Sequence, residues 1–400
     1  MSFLGAACAA RTATPAKTNQ SGVPQILTAV AVMLSLLCLS CGSSYSPTGP
    51  NHNAYVTLPA RGSVLLLNID GSTGVMTQAA ETPQVQNAAP TGIALLPSRK
   101  FLYVVNSGLT AYSISIFAVA SDGTLNLTGP AFFVGFGPNR AVVDPSGQYL
   151  LVTKTFSTVQ GLGFLSVYSI DPGTGALSEA AGSPYFVSSN PTEILITPSG
   201  RFVYVTNQNI GMVSAFTFSG GVLTPVATSP FFSGAGATGL AVDASEQHLY
   251  VANLSAPNPP PNSTTKGNVS AFDIDQNTGA LSLVTGSPFA ANNGNGPSTI
   301  TVDPTGKFVY AATAGSSFAV WCFTINQNGG LTSATNSPFS VVGGGLFSTV
   351  DPSGNFYYIG GGSGTSIAGY TYNFSTGALT AIAGSPFSTI AAPGKMVLSQ

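Results

Sequence analysis

Few side chains in this 400-residue chain are suited to acid–base or metal chemistry. The sequence contains two His, four Cys, 11 Lys and Arg, and 13 Asp and Glu, so charged residues make up only 6% of it. His52 and His248 are too few for a His-based catalytic triad or for a metal site with several His ligands. Candidate chemistry therefore falls on the few carboxylates and cations.

Three of these charged residues share one sequence context, because each stands two positions after a Pro. They are Arg140 in PNR, Glu193 in PTE and Lys395 in PGK. A carboxylate can act as a general base, and cations can bind an oxyanion or a substrate carboxylate. We therefore predict Glu193 and Arg140 as candidate catalytic residues and Lys395 as a ligand-binding residue.

The composition indicates how such residues are positioned. The chain is 44% hydrophobic and contains 47 Gly and 28 Pro. It is too rich in Val, Ile, Phe and Tyr to be disordered, and it suits many short strands joined by tight turns.

An internal repeat gives the arrangement of these strands. Strand-like segments recur every 46 to 60 residues, each after a turn such as DPSG or TPSG: FLYVVN, YLLVTK, FVYVTN, HLYVAN, FVYAAT and FYYIGG. Each is followed by an alternating strand, a Gly turn such as TGAL, and a last strand ending in GSPF or TSPF. Four antiparallel strands per unit, here lettered A to D, are typical of a propeller blade.

The strands predicted as A begin near residues 91, 139, 192, 238, 298, 347 and 394, which gives seven blades. The N-terminal segment supplies strands B, C and D without an A strand, and the C-terminal KMVLSQ is an A strand without a B strand. The sequence thus predicts an all-β, seven-bladed β-propeller of four-stranded antiparallel blades. We expect its ring to be closed by N-terminal strands B, C and D plus the C-terminal strand A.

This topology places the candidate residues at one end of the central channel, here called the top, where the A strands begin. Arg140 and Glu193 occupy equivalent positions of adjacent blades, so we expect them to interact. Lys154 and Asn207, at the ends of the B strands in the same two blades, are predicted as further ligand-binding residues. Five cations are assigned to the top face against one acid, Glu193, and such a field attracts anions: Arg61, Arg140, Lys154, Lys266 and Lys395.

The FVYVTN, DPSG, TGAL and GSPF segments resemble those of the YVTN-repeat propellers of the lactonase type, the group that contains 6-phosphogluconolactonase. The resemblance covers residues 54–400 and implies the fold and a lactone-ring hydrolase as one function. Enzymes of that family are expected to place His and Arg just after the Pro that opens strand A. In this sequence no His occurs there, while Arg140 does.

The N-terminal residues predict export. Ile26 to Ser40 form an uncharged apolar run of the length of a secretory signal, and the following Cys41-Gly-Ser-Ser resembles a bacterial lipobox. We interpret residues 1–41 as a lipoprotein-type signal peptide ending at lipidated Cys41, 42–53 as a polar tether and 54–400 as the propeller. Ordinary cleaved secretion and an uncleaved anchor are the alternatives.

Three functions fit this sequence. The first is binding of an anionic small molecule, a sugar acid, an acidic glycan, a lipid headgroup or a protein partner on the bacterial cell envelope, either in the periplasm or on the outer surface. The second is hydrolysis of a lactone, and the third is a non-catalytic structural or interaction role. We expect no cofactor, no metal, no nucleic-acid partner, contact with the membrane through the lipid anchor only, and a monomer.

Overall fold

The computed structural model describes most of the chain from residue 49 onward as a ring of seven antiparallel sheets. The described residues are 49–84, 88–108, 112–156, 161–254, 267–291, 296–313, 318–342, 344–361 and 364–399. Within them, no helix has the length and apolar character needed to cross a membrane.

The strands of the first half follow one another around the ring. Residues 52–81 begin the blade that closes the ring, here blade 7, with β1 (His52–Leu58), β2 (Ser63–Ile69) and β3 (Met76–Glu81). Blade 1 contains β4 (Pro90–Leu95), β5 (Phe101–Asn106), β6 (Ser113–Val119), β7 (Leu125–Leu127) and β8 (Phe132–Phe133). Blade 2 contains β9 (Pro138–Val143), β10 (Tyr149–Phe156), β11 (Leu162–Ile170), β12 (Leu177–Glu179) and β13 (Tyr185–Ser189). Blade 3 contains β14 (Pro191–Ile196), β15 (Phe202–Asn207), a 3₁₀ turn (Gln208–Ile210), β16 (Met212–Ser219), β17 (Val222–Pro225) and β18 (Phe231–Phe232).

The second half repeats the same pattern. Blade 4 contains β19 (Ala237–Val242), β20 (His248–Asn253), β21 (Asn268–Ile274), β22 (Leu281–Leu283) and β23 (Phe289–Ala290). Blade 5 contains β24 (Pro297–Val302), β25 (Phe308–Thr313), β26 (Ala319–Ile325), β27 (Leu331–Ser333) and β28 (Phe339–Ser340). Blade 6 contains β29 (Phe347–Val350), β30 (Phe356–Gly360), β31 (Ser366–Tyr372), β32 (Leu379–Ala381) and β33 (Phe387–Ser388), and β34 (Met396–Leu398) returns to blade 7.

The predicted seven-bladed propeller and its mode of closure are confirmed. Blade 7 has the strand order β3-β2-β1-β34, with β34 antiparallel to β1 in the register Ala54↔Leu398 and Val56↔Met396. The innermost strands of successive blades contact one another around the ring, and β34 contacts both β4 and β29. The chain termini thus complete one sheet without a covalent bond between them.

The outermost strand differs in detail from the expected single D strand. In blades 1 to 6 it is divided into two short segments, both paired with strand C: in blade 1, β7 and β8 both pair with β6. In blades 2 to 6 a cis Ser–Pro bond of the SP motif stands between or beside these segments, as at Ser229-Pro230. The SP motif, followed by Tyr in blade 2 and by Phe in blades 3 to 6, therefore precedes a second edge segment in each of these blades.

The tyrosine of the YVTN-like segment joins neighbouring blades. The hydroxyl of Tyr103 donates to the carbonyl of Gly175, which lies in the TGAL turn of the next blade, at 3.1 Å. Equivalent bonds run from Tyr55, Tyr204, Tyr250, Tyr310 and Tyr358 to Gly123, Gly279, Gly329, Gly377 and Gly74. These buried hydrogen bonds explain the tyrosine of the YVTN-like segment and the glycine of the TGAL-type turn, because a buried hydroxyl and a buried carbonyl each need a hydrogen-bond partner.

The N-terminal boundary of the propeller lies earlier than predicted. β1 begins at His52, and the backbone N–H of Gly49 donates to the carbonyl of Gly71 at 3.1 Å. Residues 49–53 therefore pair with the propeller and are not part of a tether. The predicted signal peptide, lipidated Cys41 and the remaining tether residues 42–48 lie outside the described residues.

Candidate functional site

A cavity of about 290 Å³ lies in the central channel and is lined by residues from the innermost strands of all seven blades. One position near the start of each A strand contributes most of its polar groups. Among the lining residues at this position are Arg140, Glu193, Gly239, Thr299, Phe347 and Lys395, and Ser348 follows Phe347. The structure thus brings the three charged residues singled out in the sequence into one cavity.

Glu193 lies between two cations. Its Oε2 atom is 2.7 Å from Nζ of Lys395, which donates a hydrogen bond across the channel from blade 7. The same oxygen is 3.7 Å from Nε of Arg140, in the neighbouring blade. The side chains are 25%, 16% and 24% exposed for Glu193, Lys395 and Arg140, so water reaches the cluster but does not surround it.

Blade 1 and blade 2 hold the guanidinium of Arg140 in place. Nη1 donates to the carbonyl of Thr91 and to Oδ1 of Asn139, both at 2.8 Å. The buried Nε atom has no hydrogen-bond partner among the described residues, since 3.7 Å to Glu193 exceeds hydrogen-bond length. Arg140 therefore keeps an unused donor beside the carboxylate.

Burial and charge act in opposite directions on Glu193. Burial raises the pKa of this carboxyl group, but the positive charges of Lys395 and Arg140, with the hydrogen bond from Lys395, outweigh burial and lower the pKa below its usual 4.5. Burial also lowers the pKa of Lys395, which the charge of Glu193 opposes. The carboxylate is thus ionised at neutral pH and is a weaker base than an ordinary Glu.

The opposite wall of the channel carries hydroxyl groups from blades 5 and 6. Oγ of Ser348 lies 3.1 Å from Oγ1 of Thr299 and 2.7 Å from Oγ1 of Thr301. Sequence reasoning did not single out Asn139, Thr299 or Ser348. Asn139 precedes Arg140, and Thr299 and Ser348 lie at or next to the equivalent position in blades 5 and 6. Because equivalent positions of all blades converge on the channel, the repeat could have identified these three residues.

The structure does not place Lys154 and Asn207 in this cavity, in contrast to their predicted ligand-binding role at its mouth. Lys154 is 3% exposed, and Nζ donates to the carbonyl of Val134 at 2.7 Å. Asn207 is fully buried, and Nδ2 donates to Oγ of Ser214 at 2.9 Å. At this position of strand B the side chain is buried and bonds to a neighbouring strand or loop.

The expected excess of positive charge on the top face is also smaller than predicted. Arg61 forms a two-pronged ion pair with Glu81, with Nε and Nη2 at 2.8 and 2.9 Å from the carboxylate oxygens. The sequence analysis did not predict this pair. Glu81 is the last residue of β3, the D strand of blade 7, and this places its carboxylate at the top of the blade, next to the turn between strands B and C that carries Arg61. Lys266 lies outside the described residues.

Metal ligation has no support in the described residues, among which no three His, Cys, Asp or Glu side chains cluster as a metal site would require. The Asp residues of the DPSG-type turns bind their own backbone. Oδ1 of Asp144, for example, accepts hydrogen bonds from the backbone N–H groups of Gln148 and Tyr149, with N···O distances of 2.8 and 2.7 Å. Those carboxylates shape the turns that connect strands A and B.

Comparisons with known proteins agree with this architecture. The sequence profile of the family described as "Lactonase, 7-bladed beta-propeller" matches residues 45–187, 184–288 and 263–391. A 6-phosphogluconolactonase from Formosa agariphila is 44% identical over 66 residues, which are 16% of this chain and 19% of that protein. The chain therefore matches about a fifth of the length of this curated relative.

Solved structures share the fold at low sequence identity. A candidate 6-phosphogluconolactonase from Bacteroides fragilis superposes with a TM-score of 0.71 at 18% identity, covering 88% of this chain and 98% of that one. The periplasmic gluconolactonase PpgL from Pseudomonas aeruginosa gives a TM-score of 0.67 at 16% identity, covering 88% and 99%. With the profile match along nearly the whole propeller, the conclusion is that this chain belongs to the lactonase family of seven-bladed β-propellers.

Proposed function

We propose that this protein binds a sugar acid or a similar small anion at the top of its central channel. The observation that carries the proposal is that Arg140 and Lys395 share a single carboxylate, Glu193, so the cluster has a net charge of +1. A ligand carboxylate would neutralise the cluster and accept from the partly exposed side chains of Arg140 and Lys395.

The rest of the cavity suits a polyhydroxylated ligand. Thr299 and Ser348 offer hydroxyl groups on the wall opposite Arg140, and these can donate to or accept from sugar hydroxyls. A volume of about 290 Å³ is at the lower end of ligand cavities and accommodates a molecule of monosaccharide size. A charged hydrogen bond from Arg140 contributes about 1.5–3 kcal/mol to such binding.

Hydrolysis of a sugar lactone is the second candidate, and membership of the lactonase family favours it. In that reaction Glu193 would take a proton from the attacking water, and Arg140 and Lys395 would stabilise the oxyanion that forms at the carbonyl carbon. The lowered pKa of Glu193 weakens this candidate, because a general base works best with a pKa near the working pH.

One experiment separates the two functions. The purified protein is mixed with a panel of aldono- and uronolactones and with the corresponding acids, and ring opening and line broadening are followed by NMR. Binding of the acids without ring opening above the spontaneous rate supports the binding function. Ring opening that Glu193→Gln abolishes would favour hydrolysis, and the absence of binding and of turnover would contradict both.

We further propose that the protein is exported and held at the bacterial cell envelope by a lipid on Cys41. The apolar run Ile26 to Ser40 and the Ser-Cys-Gly junction support this location. Export would remove the channel site from cytoplasmic phosphorylated sugars, so a ligand in the envelope or the surroundings of the cell is favoured.

A further inference from the structure

Blades 5 and 6 carry hydroxyl groups in the channel wall where the other blades carry apolar side chains. Ser348 pairs with Ile359 of strand B, and the residues at this register in the other six blades are all apolar: Ile93, Ala141, Ile194, Leu240, Ile300 and Met396. One residue further along strand A, Thr301 and Thr349 stand where the other five blades have Ala94, Val142, Leu195, Ala241 and Val397. The repeat does not require these hydroxyl groups, because the other blades form the same sheet without them.

A buried tyrosine beside Ser348 is a further exception to the repeat. Tyr357, the second residue of β30, is fully buried, and the equivalent residues of the other blades are equally buried and aliphatic: Ala54, Leu102, Leu150, Val203, Leu249 and Val309. The Tyr357 hydroxyl has no hydrogen-bond partner among the described residues. A buried hydroxyl without a partner lowers the stability of the fold, so its presence calls for another role.

Ser348 connects Tyr357 with the channel cavity. Burial raises the pKa of Tyr357, and the side chain of Ser348 is close enough to lower it. Oγ of Ser348 also lies 3.1 Å from Oγ1 of Thr299 and 2.7 Å from Oγ1 of Thr301, and Ser348 and Thr299 both line the cavity. These four residues, here called the hydroxyl cluster, therefore extend from the cavity to the buried Tyr357.

The hydroxyl cluster has protons that its own contacts do not use. Each of the four hydroxyl groups carries one proton, and the two contacts among Thr299, Ser348 and Thr301 use two of them. Two protons therefore remain, one of them on Tyr357 or on a group that Tyr357 can reach. Ser348 can thus turn its proton towards the cavity while it accepts a hydrogen bond from Tyr357 or Thr301.

The position of the hydroxyl cluster suits the end of a ligand that is remote from its carboxylate. Thr299 occupies the same position in blade 5 as Arg140 in blade 2, on the opposite side of the ring. Ser348 stands one residue further along its A strand, which is about 3.3 Å deeper in the channel. A ligand whose carboxylate lies at Arg140 and Lys395 therefore directs its other end to this wall.

We propose that Ser348 and Thr299 bind a hydroxyl group of the ligand on the side away from its carboxylate, and that Tyr357 is a positioning residue that donates to Ser348 when the ligand is bound. This inference rests on the proposed function, because the carboxylate of the same ligand binds Arg140 and Lys395. The hydroxyl cluster then determines specificity for a hydroxylated acid over an acid of similar size without hydroxyl groups.

D-glucuronate and cyclohexanecarboxylate test this proposal, because both have a six-membered ring and a carboxylate and only the first carries hydroxyl groups. Each is titrated by calorimetry into the full-length protein and its variants. Ser348→Ala should bind D-glucuronate about three- to tenfold more weakly, the effect of one lost neutral hydrogen bond, and should bind cyclohexanecarboxylate within about twofold of the unaltered protein. Alanine occurs at this register in blade 2, as Ala141, so the variant is compatible with the fold.

Tyr357→Phe and Tyr358→Phe form a matched pair, because each removes one buried hydroxyl from neighbouring residues of β30. The Tyr358 hydroxyl donates to the carbonyl of Gly74, so Tyr358→Phe should lower Tm and leave both affinities unchanged. Tyr357→Phe should leave Tm unchanged or higher and weaken D-glucuronate binding about three- to tenfold. In the Ser348→Ala background Tyr357→Phe should add no further weakening, because Tyr357 acts through Ser348.

Three results would overturn the proposal. D-glucuronate affinity unchanged in Ser348→Ala and Tyr357→Phe, or equal weakening of both acids, would contradict the hydroxyl subsite while the anion site stands. A fall in Tm without loss of affinity in Tyr357→Phe would show that this hydroxyl is structural. Absence of binding of both acids by the unaltered protein would contradict the proposed function and this inference together, so the two failures give different results.

Discussion

Replacing Glu193 by Gln removes the one carboxylate that neutralises Lys395 and Arg140, while it preserves the size of the side chain. Removing one partner of a fully buried ion pair costs about 3–5 kcal/mol, and these side chains are between 16% and 25% exposed. We therefore expect a loss of about 2 kcal/mol in the free energy of unfolding. For a propeller of this size that lowers Tm by about 3 °C.

The same substitution should strengthen anion binding. It raises the net charge of the cluster from +1 to +2, and one unit charge about 6–8 Å from a ligand carboxylate contributes about 2 kcal/mol at an effective dielectric constant near 20. Calorimetric titration with glucuronate should show an affinity increased roughly thirtyfold. An affinity that is unchanged or weaker in Glu193→Gln would refute the reasoning that the cluster binds anions by its unbalanced positive charge.

Stability against pH gives an independent check of this prediction. Because the folded-state pKa of Glu193 lies below its usual 4.5, the stabilisation from its charge is present above about pH 4.5 and is lost as the pH falls through the lowered value. The Tm difference between the unaltered protein and Glu193→Gln should therefore reach its whole value of about 3 °C at pH 7 and become smaller below pH 4.5. Glu81→Gln, which breaks the ion pair with Arg61 outside the channel, is the control and should leave anion affinity unchanged.

Further predictions concern closure, blade contacts and location. Deleting residues 396–400 removes β34 and its pairing with β1, so Tm should fall by well over 10 °C, and an unchanged melting curve would argue against closure by this strand. Tyr358→Phe removes the buried 2.8 Å bond to the carbonyl of Gly74 and should cost about 1–2 kcal/mol by thermal unfolding, whereas Tyr185→Phe, whose hydroxyl is exposed, should cost almost nothing. Cys41→Ser should abolish fatty-acid labelling and release the protein from membranes, and labelling that persists would contradict lipidation at this residue.

The ring and its closure could be predicted from the sequence because a propeller blade is a repeated unit with its own turn chemistry. The DPSG-type turns and YVTN-like strands mark where each blade begins, and an unpaired B, C, D set at one end matches an unpaired A strand at the other. The same counting identified Arg140, Glu193 and Lys395, since equivalent positions in a closed ring converge on the channel.

Side-chain direction at strand ends could not be predicted in the same way. Lys154 stands where blades 1, 3 and 4 have a buried Asn, and whether a lysine there reaches solvent or turns inward depends on the rings of Phe136 and Tyr168 beside it. The pairing of Arg61 with Glu81 depends on the distance between a loop and an edge strand, for which the repeat gives no signal. Both were therefore assigned to the open top face by position alone.

Calorimetric titration of the unaltered protein and of Arg140→Ala with glucuronate, at low and at physiological salt, tests the central claim most directly. The account predicts saturable binding at one site that weakens with salt, and an affinity about 10- to 150-fold lower in Arg140→Ala, the effect of one lost charged hydrogen bond. Equal affinities in the two proteins, with Arg140→Ala folded, would contradict an anion site at the top of the channel.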